Sequence, residues 1–462
     1  MATGIPKRQT STSNNKVHLA YEGKKPVEEI VTGDLIQFDR IYSQAGAGMP
    51  PKDDMSDQTL STDLHKRLYF GDNLDVLRLL ILDPVICGKV NLVYIDPPYA
   101  TQSRFISRKQ LNAYEDTLAS AEYIEFLRQR LILLHKLLSK NGSIYLHLDE
   151  NMIFEMKIVM DEIFGASNYR NMIVRKKCNP KNYTRKTYGN IADFILFYTK
   201  SDRYVWNKQT VPLSEDSKKE YYYTEERTGR KFMKVPIHAP GSRNGETGKP
   251  WKGKMPPPGK HWQYTPKHLD EMDARGEICW SKNGNPRRKV YLDKHPGVAI
   301  QDIWLDFRDA HNQNIKITGY PTEKNSDLIR RIVAASSNPG DLVLDCFAGS
   351  GTTLAVADDM QRKWVGADNS IEALKTILHR FENGLQPMGD YVDVPVRSKQ
   401  HDNDQQTIFS SLGSNTTFSQ NQTSPAHRTI SDFTLFAPSD NPADVFEIVN
   451  EWQKRINSDG AL

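Results

Sequence analysis

Two consecutive prolines close the apolar run Val90-Asn91-Leu92-Val93-Tyr94-Ile95, which continues as Asp96-Pro97-Pro98-Tyr99. Proline lacks the amide hydrogen that a central strand must donate, so a strand here has to stop and the next residues have to turn. The run therefore predicts a short buried strand that delivers a carboxylate and an aromatic ring to its exit. Alone, the four residues also describe nothing more than a rigid strand end.

Around this strand, strand-length and helix-length patterns alternate. Regular structure is expected from Arg67-Leu68-Tyr69-Phe70-Gly71-Asp72, followed by a helix over 73–82 with an apolar face of Leu74, Val76, Leu77, Leu79 and Leu80. A long helix is expected over 120–138, a strand over 143–148, a helix over 150–164 and a strand over 193–199. The pattern resumes with a helix over 326–336, a strand over 342–346, a helix over 352–360, a strand over 363–368 and a helix over 370–383. Such alternation predicts an α/β fold: a doubly wound, mostly parallel sheet.

The intervening stretch, 201–314, differs in character. It is rich in Gly, Pro, Lys, Arg and aromatics and has helical periodicity only over 266–275, so an inserted domain of irregular or β character is expected. Residues 201–300 hold 20 Lys and Arg against 12 Asp and Glu, in a chain whose net charge is only +4. That local excess suits a polyanionic partner, although a solvated basic face explains it equally well. Residues 1–65 read as a polar extension. Residues 386–462 read as a Ser/Thr/Gln/Asn-rich linker and tail, disordered to about 430, with a helix over 444–456.

Other signals exclude classes of function. There is no run of 18 apolar residues for a membrane span, and the N-terminus has no apolar signal region. Cys87, Cys178, Cys279 and Cys346 are scattered without C-x-x-C spacing, so no metal site and no disulfide framework is expected, and a cytoplasmic location fits.

The second chemical motif is Asp341-Leu342-Val343-Leu344-Asp345-Cys346-Phe347-Ala348-Gly349-Ser350-Gly351-Thr352-Thr353, in strand, glycine turn, helix order. Glycines there let backbone approach a ligand closely. The next strand ends at Asp368, 23 residues after Asp345, where a carboxylate can accept from ribose hydroxyls. Gly351 is followed by Thr352 rather than the lysine of a phosphate-binding loop, which argues against a nucleotide hydrolase, and the third glycine of a dinucleotide fingerprint is missing. A nucleoside cofactor without phosphates, S-adenosylmethionine, fits. A purely structural corner is the competing reading of the loop alone.

With that cofactor, Asp96 acquires a task. An exocyclic base amine is a poor nucleophile because its lone pair is delocalised into the ring. Acceptors for its N–H groups, the Asp96 carboxylate and the Pro97 carbonyl, favour pyramidalisation and stabilise developing positive charge. Tyr99 offers a stacking face, and the base must leave the duplex. Methylation at a ring carbon would need a cysteine nucleophile, and no cysteine here follows a proline.

The two motifs in this order resemble a β-class amino DNA methyltransferase, in which the catalytic motif precedes the recognition region and the cofactor motifs come last. Related RNA and protein-glutamine methyltransferases have the opposite order. More narrowly, the chain resembles the modification subunit of type III restriction–modification systems. Tyr69-Phe70-Gly71-Asp72-Asn73, Ala113-Tyr114-Glu115-Asp116-Thr117, Gly142 to Asp149, Met160 to Gly165, Gly259-Lys260-His261-Trp262, Asp302-Ile303-Trp304 and Gly319 to Lys324 match in family order.

The resemblance implies transfer by Asp96, Pro97, Pro98 and Tyr99. It implies cofactor contact by Asp345, Phe347, Gly349, Gly351, Thr352, Asp368, Thr322, Lys324 and Asp72. It makes 66–200 the catalytic part, 201–314 the target recognition insert and 315–385 the cofactor-binding part. Double-stranded DNA is then the substrate, adenine N6 the acceptor, and a second copy or a restriction subunit the partner. Cytosine N4 methylation and a catalytically silent DNA-binding protein of the same fold are the alternatives. Asn325 stands where the family has proline and Ala100 where asparagine is common. Trp251, Trp262, Trp280 and Trp304 are read as core. Arg175-Lys176-Lys177 is read as a solvated strand end or a phosphate contact, and His147 and Asp149 receive no role beyond closing a strand.

Overall fold

The structure is a computed structural model. It describes residues 17–43, 66–98, 115–178, 186–281, 283–307, 323–385, 429–440 and 443–459. Tyr99, Ala100, Thr322 and the motifs at 113–114 and 319–322 lie outside them. The chain divides into two compact units, one built from residues before 210 and after 300, the other from Thr210–Ile300.

The first unit is organised by a ten-stranded sheet. Its strands are β1 (Phe38–Ser43), β2 (Lys66–Phe70), β3 (Val90–Ile95), β4 (Leu138–Leu148), β5 (Tyr169–Lys176), β6 (Ala192–Thr199), β7 (Ile303–Trp304), β8 (Leu342–Asp345), β9 (Lys363–Asp368) and β10 (Phe433–Pro438). Their spatial order is β1-β10-β2-β9-β8-β3-β4-β6-β5-β7. The strands from β10 to β4 run parallel to one another, while β1, β6 and β5 make antiparallel pairs. The α/β, mostly parallel architecture follows from strands such as β3 and β8, which are apolar on both faces and need cover on both.

That cover comes from helices α1 (Val27–Val31), α2 (Asn73–Leu82), α3 (Glu115–Leu137), α4 (Ile153–Phe164), α5 (Ser326–Ser336), α6 (Thr352–Asp359), α7 (Ile371–Asn383) and α8 (Ala443–Asp459). Their starts are chemically marked. Asp72 caps α2, Ser370 caps α7, and Asn325 caps α5 by accepting from the Asp327 amide at 2.8 Å. The departure from proline at 325 thus supplies a cap.

Four strands, β1, β5, β7 and β10, have no counterpart in the sequence reading. β5 pairs with β6, and β1 and β10 extend the sheet beyond β2. The polar extension and the tail are therefore not mere appendages. Tyr42, Phe433 and Trp452 meet in one aromatic cluster with Trp364 and Phe381, and Trp452 is fully buried. Without β10, β2 would be an open edge with an unpaired row of amides and carbonyls.

The second unit has its own small core of Ile237, Trp251, Trp262, Leu269, Met272 and Ile278. A four-stranded antiparallel sheet over 223–224, 231–236, 278–280 and 286–291 and a helix, Pro266–Ala274, build it. Trp251, Trp262 and, in the first unit, Trp304 are buried as expected. Trp280 is not: it is 40% exposed and stacks on Trp251 with ring centroids 5.2 Å apart.

Candidate functional site

In a parallel sheet, the carboxyl ends of the strands share one edge, and ligands bind there. The aspartates of both sequence motifs arrive at that edge: Asp72 follows β2, Asp368 ends β9, Asp345 ends β8 and Asp96 follows β3.

The turn after β8 is held by its own carboxylates. Asp345 Oδ1 accepts from the Phe347 amide at 3.0 Å. Asp368 Oδ2 accepts from the Gly349 amide at 2.8 Å and its Oδ1 from the Ser370 amide at 3.0 Å. Each carboxylate oxygen retains a further lone pair for a ligand hydroxyl. Gly349 and Gly351 have φ of 51° and 73°, in the left-handed region. At Gly351 a Cβ would also stand 3.0 Å from Ile377 Cγ1, so only glycine fits without strain. Thr352 is buried and its Oγ1 meets Ser350 Oγ at 3.0 Å. Phe347 lies 6.0 Å, ring to ring, from Phe126 of α3. Asp72 is half exposed and pairs with Arg130 at 3.0 Å, while its neighbour Asn73 donates to the Cys346 carbonyl at 2.7 Å.

Asp345 is buried and Asp368 partly buried, and among the described residues neither takes part in an ion pair. Burial pushes the Asp345 carboxyl up to about 7, against the turn's hydrogen bonds, and Asp96 and Asp368 add to the rise. Burial also raises Asp368. Two under-neutralised carboxylates beside a positive-φ glycine turn suit a cationic ligand with hydroxyl groups.

The other end of the edge is wired differently. Lys324 Nζ lies 3.0 Å from Asp96 Oδ2, so this lysine, expected at the cofactor, stands on the transfer carboxylate. Among the described residues, Asp96 Oδ1 is buried and without a hydrogen-bond partner, as is the nearby Tyr123 hydroxyl of α3. Pro97 is buried and Pro98 exposed.

Behind Asp96 sits a cluster the sequence reading missed. His147 of β4 is fully buried, with Nδ1 2.9 Å from the Tyr94 hydroxyl and 3.9 Å from Asp96 Oδ1. Its Nε2 lies 3.4 Å from Asp193 Oδ2. Asp193 also pairs with Arg175 at 3.2 Å and Lys177 at 3.0 Å. Arg175 is buried and donates to the Phe307 carbonyl, so it is neither a solvated strand end nor a phosphate contact. Burial lowers His147 and Lys324 lowers it further, against the opposing pull of Asp193 and Asp96. Burial would raise Asp193, but His147, Lys324 and Lys177 together hold it well below the usual carboxylate range. The signal in sequence was the lone His147 in an otherwise apolar strand. Asp149 only closes the turn, accepting from Asn151.

Arg380 of α7 ties the two ends together. It donates to the Ser350 carbonyl at 2.6 Å and pairs with Glu323, the residue before Lys324.

In the second unit, a cleft of about 960 Å³ is lined by Glu225, Arg230, Glu277, Arg288, Lys289 and Tyr291 among others. Some of the unit's Lys and Arg stand in ion pairs such as Arg230–Asp293 and Lys289–Glu225, which leaves its net positive excess unchanged.

Residues 90–379 match the model of a DNA methylase family. The type II methyltransferase M.EcaI of Enterobacter cloacae is 51% identical over 385 residues, covering 83% of this chain and 82% of that protein. The Mod subunit of the type III restriction–modification enzyme StyLTI of Salmonella typhimurium is 25% identical, covering 71% of this chain and 56% of that subunit. The DNA adenine methyltransferase YhdJ of Escherichia coli is 26% identical, covering 69% of this chain and 83% of that protein. The resemblance to Mod subunits thus stands, and a type II enzyme shares twice the identity.

Proposed function

This chain belongs to the DNA methylase family, and we propose that it methylates the N6 amine of adenine in double-stranded DNA, with S-adenosylmethionine as donor. The observation that carries this reading is the orphaned, buried Oδ1 of Asp96 at the same sheet edge as the glycine turn. It is an acceptor without a donor, placed where a base amine would supply one. The likeness to YhdJ, a DNA adenine methyltransferase, and the Asp-Pro-Pro-Tyr form of the motif support adenine over cytosine.

In this reading the turn of Phe347, Gly349, Gly351 and Thr352 holds the donor, with Asp345 and Asp368 facing its positive charge and ribose. Bound there, S-adenosylmethionine supplies a methyl group made electrophilic by its sulfonium. Asp96 Oδ1 accepts one amine N–H and the Pro97 carbonyl the other, which frees the nitrogen lone pair for attack. Lys324 fixes the Asp96 carboxylate through its other oxygen. Tyr99 stacks on a base flipped from the duplex, since the amine is out of reach inside it. Residues 210–300 form the target recognition unit, whose Lys and Arg meet phosphates. The Mod resemblance supports a second copy or a restriction subunit as partner. Among the described residues no helix is long and apolar enough to cross a membrane, and a DNA substrate suits the cytoplasm.

The test is Asp96→Ala, assayed for methyl transfer to unmethylated genomic DNA and, by calorimetry, for cofactor binding. Transfer should fall by about 10²–10³ while binding persists. Full activity in the variant contradicts this mechanism.

A further inference from the structure

We propose that His147, seated against Asp193, is the terminus of a buried proton relay that takes the amine's surplus proton from Asp96. The proposal rests on the amino-transfer reading above and extends it to a residue that reading does not use.

The chemistry demands such a sink. As the amine lone pair forms the N–CH₃ bond, the C–S bond breaks and its electron pair leaves with the sulfur. The nitrogen is left with one proton too many. Asp96 Oδ1, its hydrogen-bond acceptor, receives that proton. A protonated Asp96 loses its attraction to Lys324 and must be reset before the next turnover.

The geometry supplies the next acceptor. Asp96 Oδ1 is buried and unpartnered, and His147 Nδ1 lies 3.9 Å away. That gap is one side-chain adjustment from a hydrogen bond, and catalytic contacts commonly tighten only in the working complex. The anion Asp193 lies 3.4 Å from Nε2, a charge contact outside hydrogen-bond geometry, and its field favours the tautomer with hydrogen on Nε2, which leaves Nδ1 basic. The Tyr94 hydroxyl lies 2.9 Å from Nδ1; in that tautomer it donates to Nδ1, and it must turn away as the proton arrives. The proton then resides on Nδ1, and the imidazolium sits beside a carboxylate. The groups facing the ring are Tyr94, Asp96, Asp193 and Lys324, with Arg175 and Lys177 behind Asp193. A histidine kept only for packing would need neither an anion anchored by two cations nor an unpartnered carboxylate oxygen opposite.

His147 acts on the amine only through Asp96, so it is a positioning residue. The test compares wild type, His147→Gln and Asp193→Asn. Single-turnover transfer to unmethylated genomic DNA is followed against pH, and cofactor affinity is measured by calorimetry. Gln keeps a donor toward Asp193 and removes the base at Nδ1. We expect at least a tenfold slower transfer in both variants with cofactor affinity within about threefold. The acid limb of the rate profile should fall from second to first order in protons in His147→Gln. A second readout needs no turnover. Nitrogen-15 histidine spectra of the protein alone, assigned by loss of the signal in His147→Gln, should show hydrogen on Nε2 and a bare Nδ1. An unchanged rate and profile in both variants, or hydrogen on Nδ1 with a bare Nε2, overturns the relay. Should His147→Gln fail to fold, Asp193→Asn and the wild-type spectra decide alone. A wild type that transfers nothing to DNA refutes the amino-transfer reading instead, and the spectra separate the two failures.

Discussion

At the ends of β8 and β9, buried Asp345 and partly buried Asp368 accept from backbone amides, and both carboxyls are pushed upward in pKa. Across β3, Asp193 is as buried as Asp345 and is held down, surrounded by Arg175, Lys177, Lys324 and His147. Both are acids of one sheet edge, separated by a few strands. The difference is the supply of positive charge. The transfer half brings its own cations, so Asp193 is held low and Lys324 fixes Asp96 before any ligand arrives. In the cofactor half Arg130 is taken by Asp72, and among the described residues no cation pairs with Asp345 or Asp368, so a cationic ligand would complete them. Burial sets the cost in both halves, and the neighbours decide the sign.

Breaking the transfer half should have the largest effect. Lys324→Met removes the cation that holds Asp96, and methyl transfer should slow by about 10²-fold, as for a misplaced catalytic group. Cofactor affinity should change less than threefold by calorimetry. The reverse pattern would return Lys324 to the cofactor half, where the family resemblance put it.

Gly351→Ala attacks the other half through backbone alone. The positive φ and the Ile377 contact should cost about 1–3 kcal/mol in thermal or denaturant unfolding and loosen cofactor binding. An alanine variant with unchanged stability would show that the turn is not strained.

The comparison also makes a pH prediction. The Asp345 carboxyl, near 7 in the folded protein, must give up its proton to face a cation. Cofactor affinity should therefore weaken as pH falls below about 7, approaching tenfold per unit. In Asp345→Asn that dependence should vanish. The sign for stability is opposite: a raised carboxyl disfavours folding as pH rises from the ordinary carboxylate value through 7, so the same variant should gain relative stability above 7. The smallest effect is expected at Asn325→Ala, where loss of the α5 cap should cost about 1 kcal/mol in unfolding free energy.

The cofactor half was largely legible in the sequence because its instructions are local. A strand, two glycines and a helix occupy adjacent positions, and Asp368 ends the next strand. The transfer half was legible only at Asp96. His147, Asp193, Lys177 and Lys324 lie on separate elements, and their convergence depends on strand order, which side-chain periodicity does not encode. Arg175 looked like a solvated cation for the same reason. β10 escaped notice because six residues following a low-complexity stretch carry little periodic signal. Only the pairing of Leu435 with Leu68 along β2 shows what they do. Trp280 was misread because composition does not reveal that it covers Trp251 from the solvent side.

The account stands or falls on Asp96 directing a methyl group to an adenine amine. The direct measurement is long-read sequencing of DNA from cells expressing the wild-type chain or Asp96→Ala. Methylated adenine in one recurring sequence context with the wild type, and none with the variant, is the predicted result. Unmodified adenine in both, modification of cytosine, or modification that survives Asp96→Ala would contradict it.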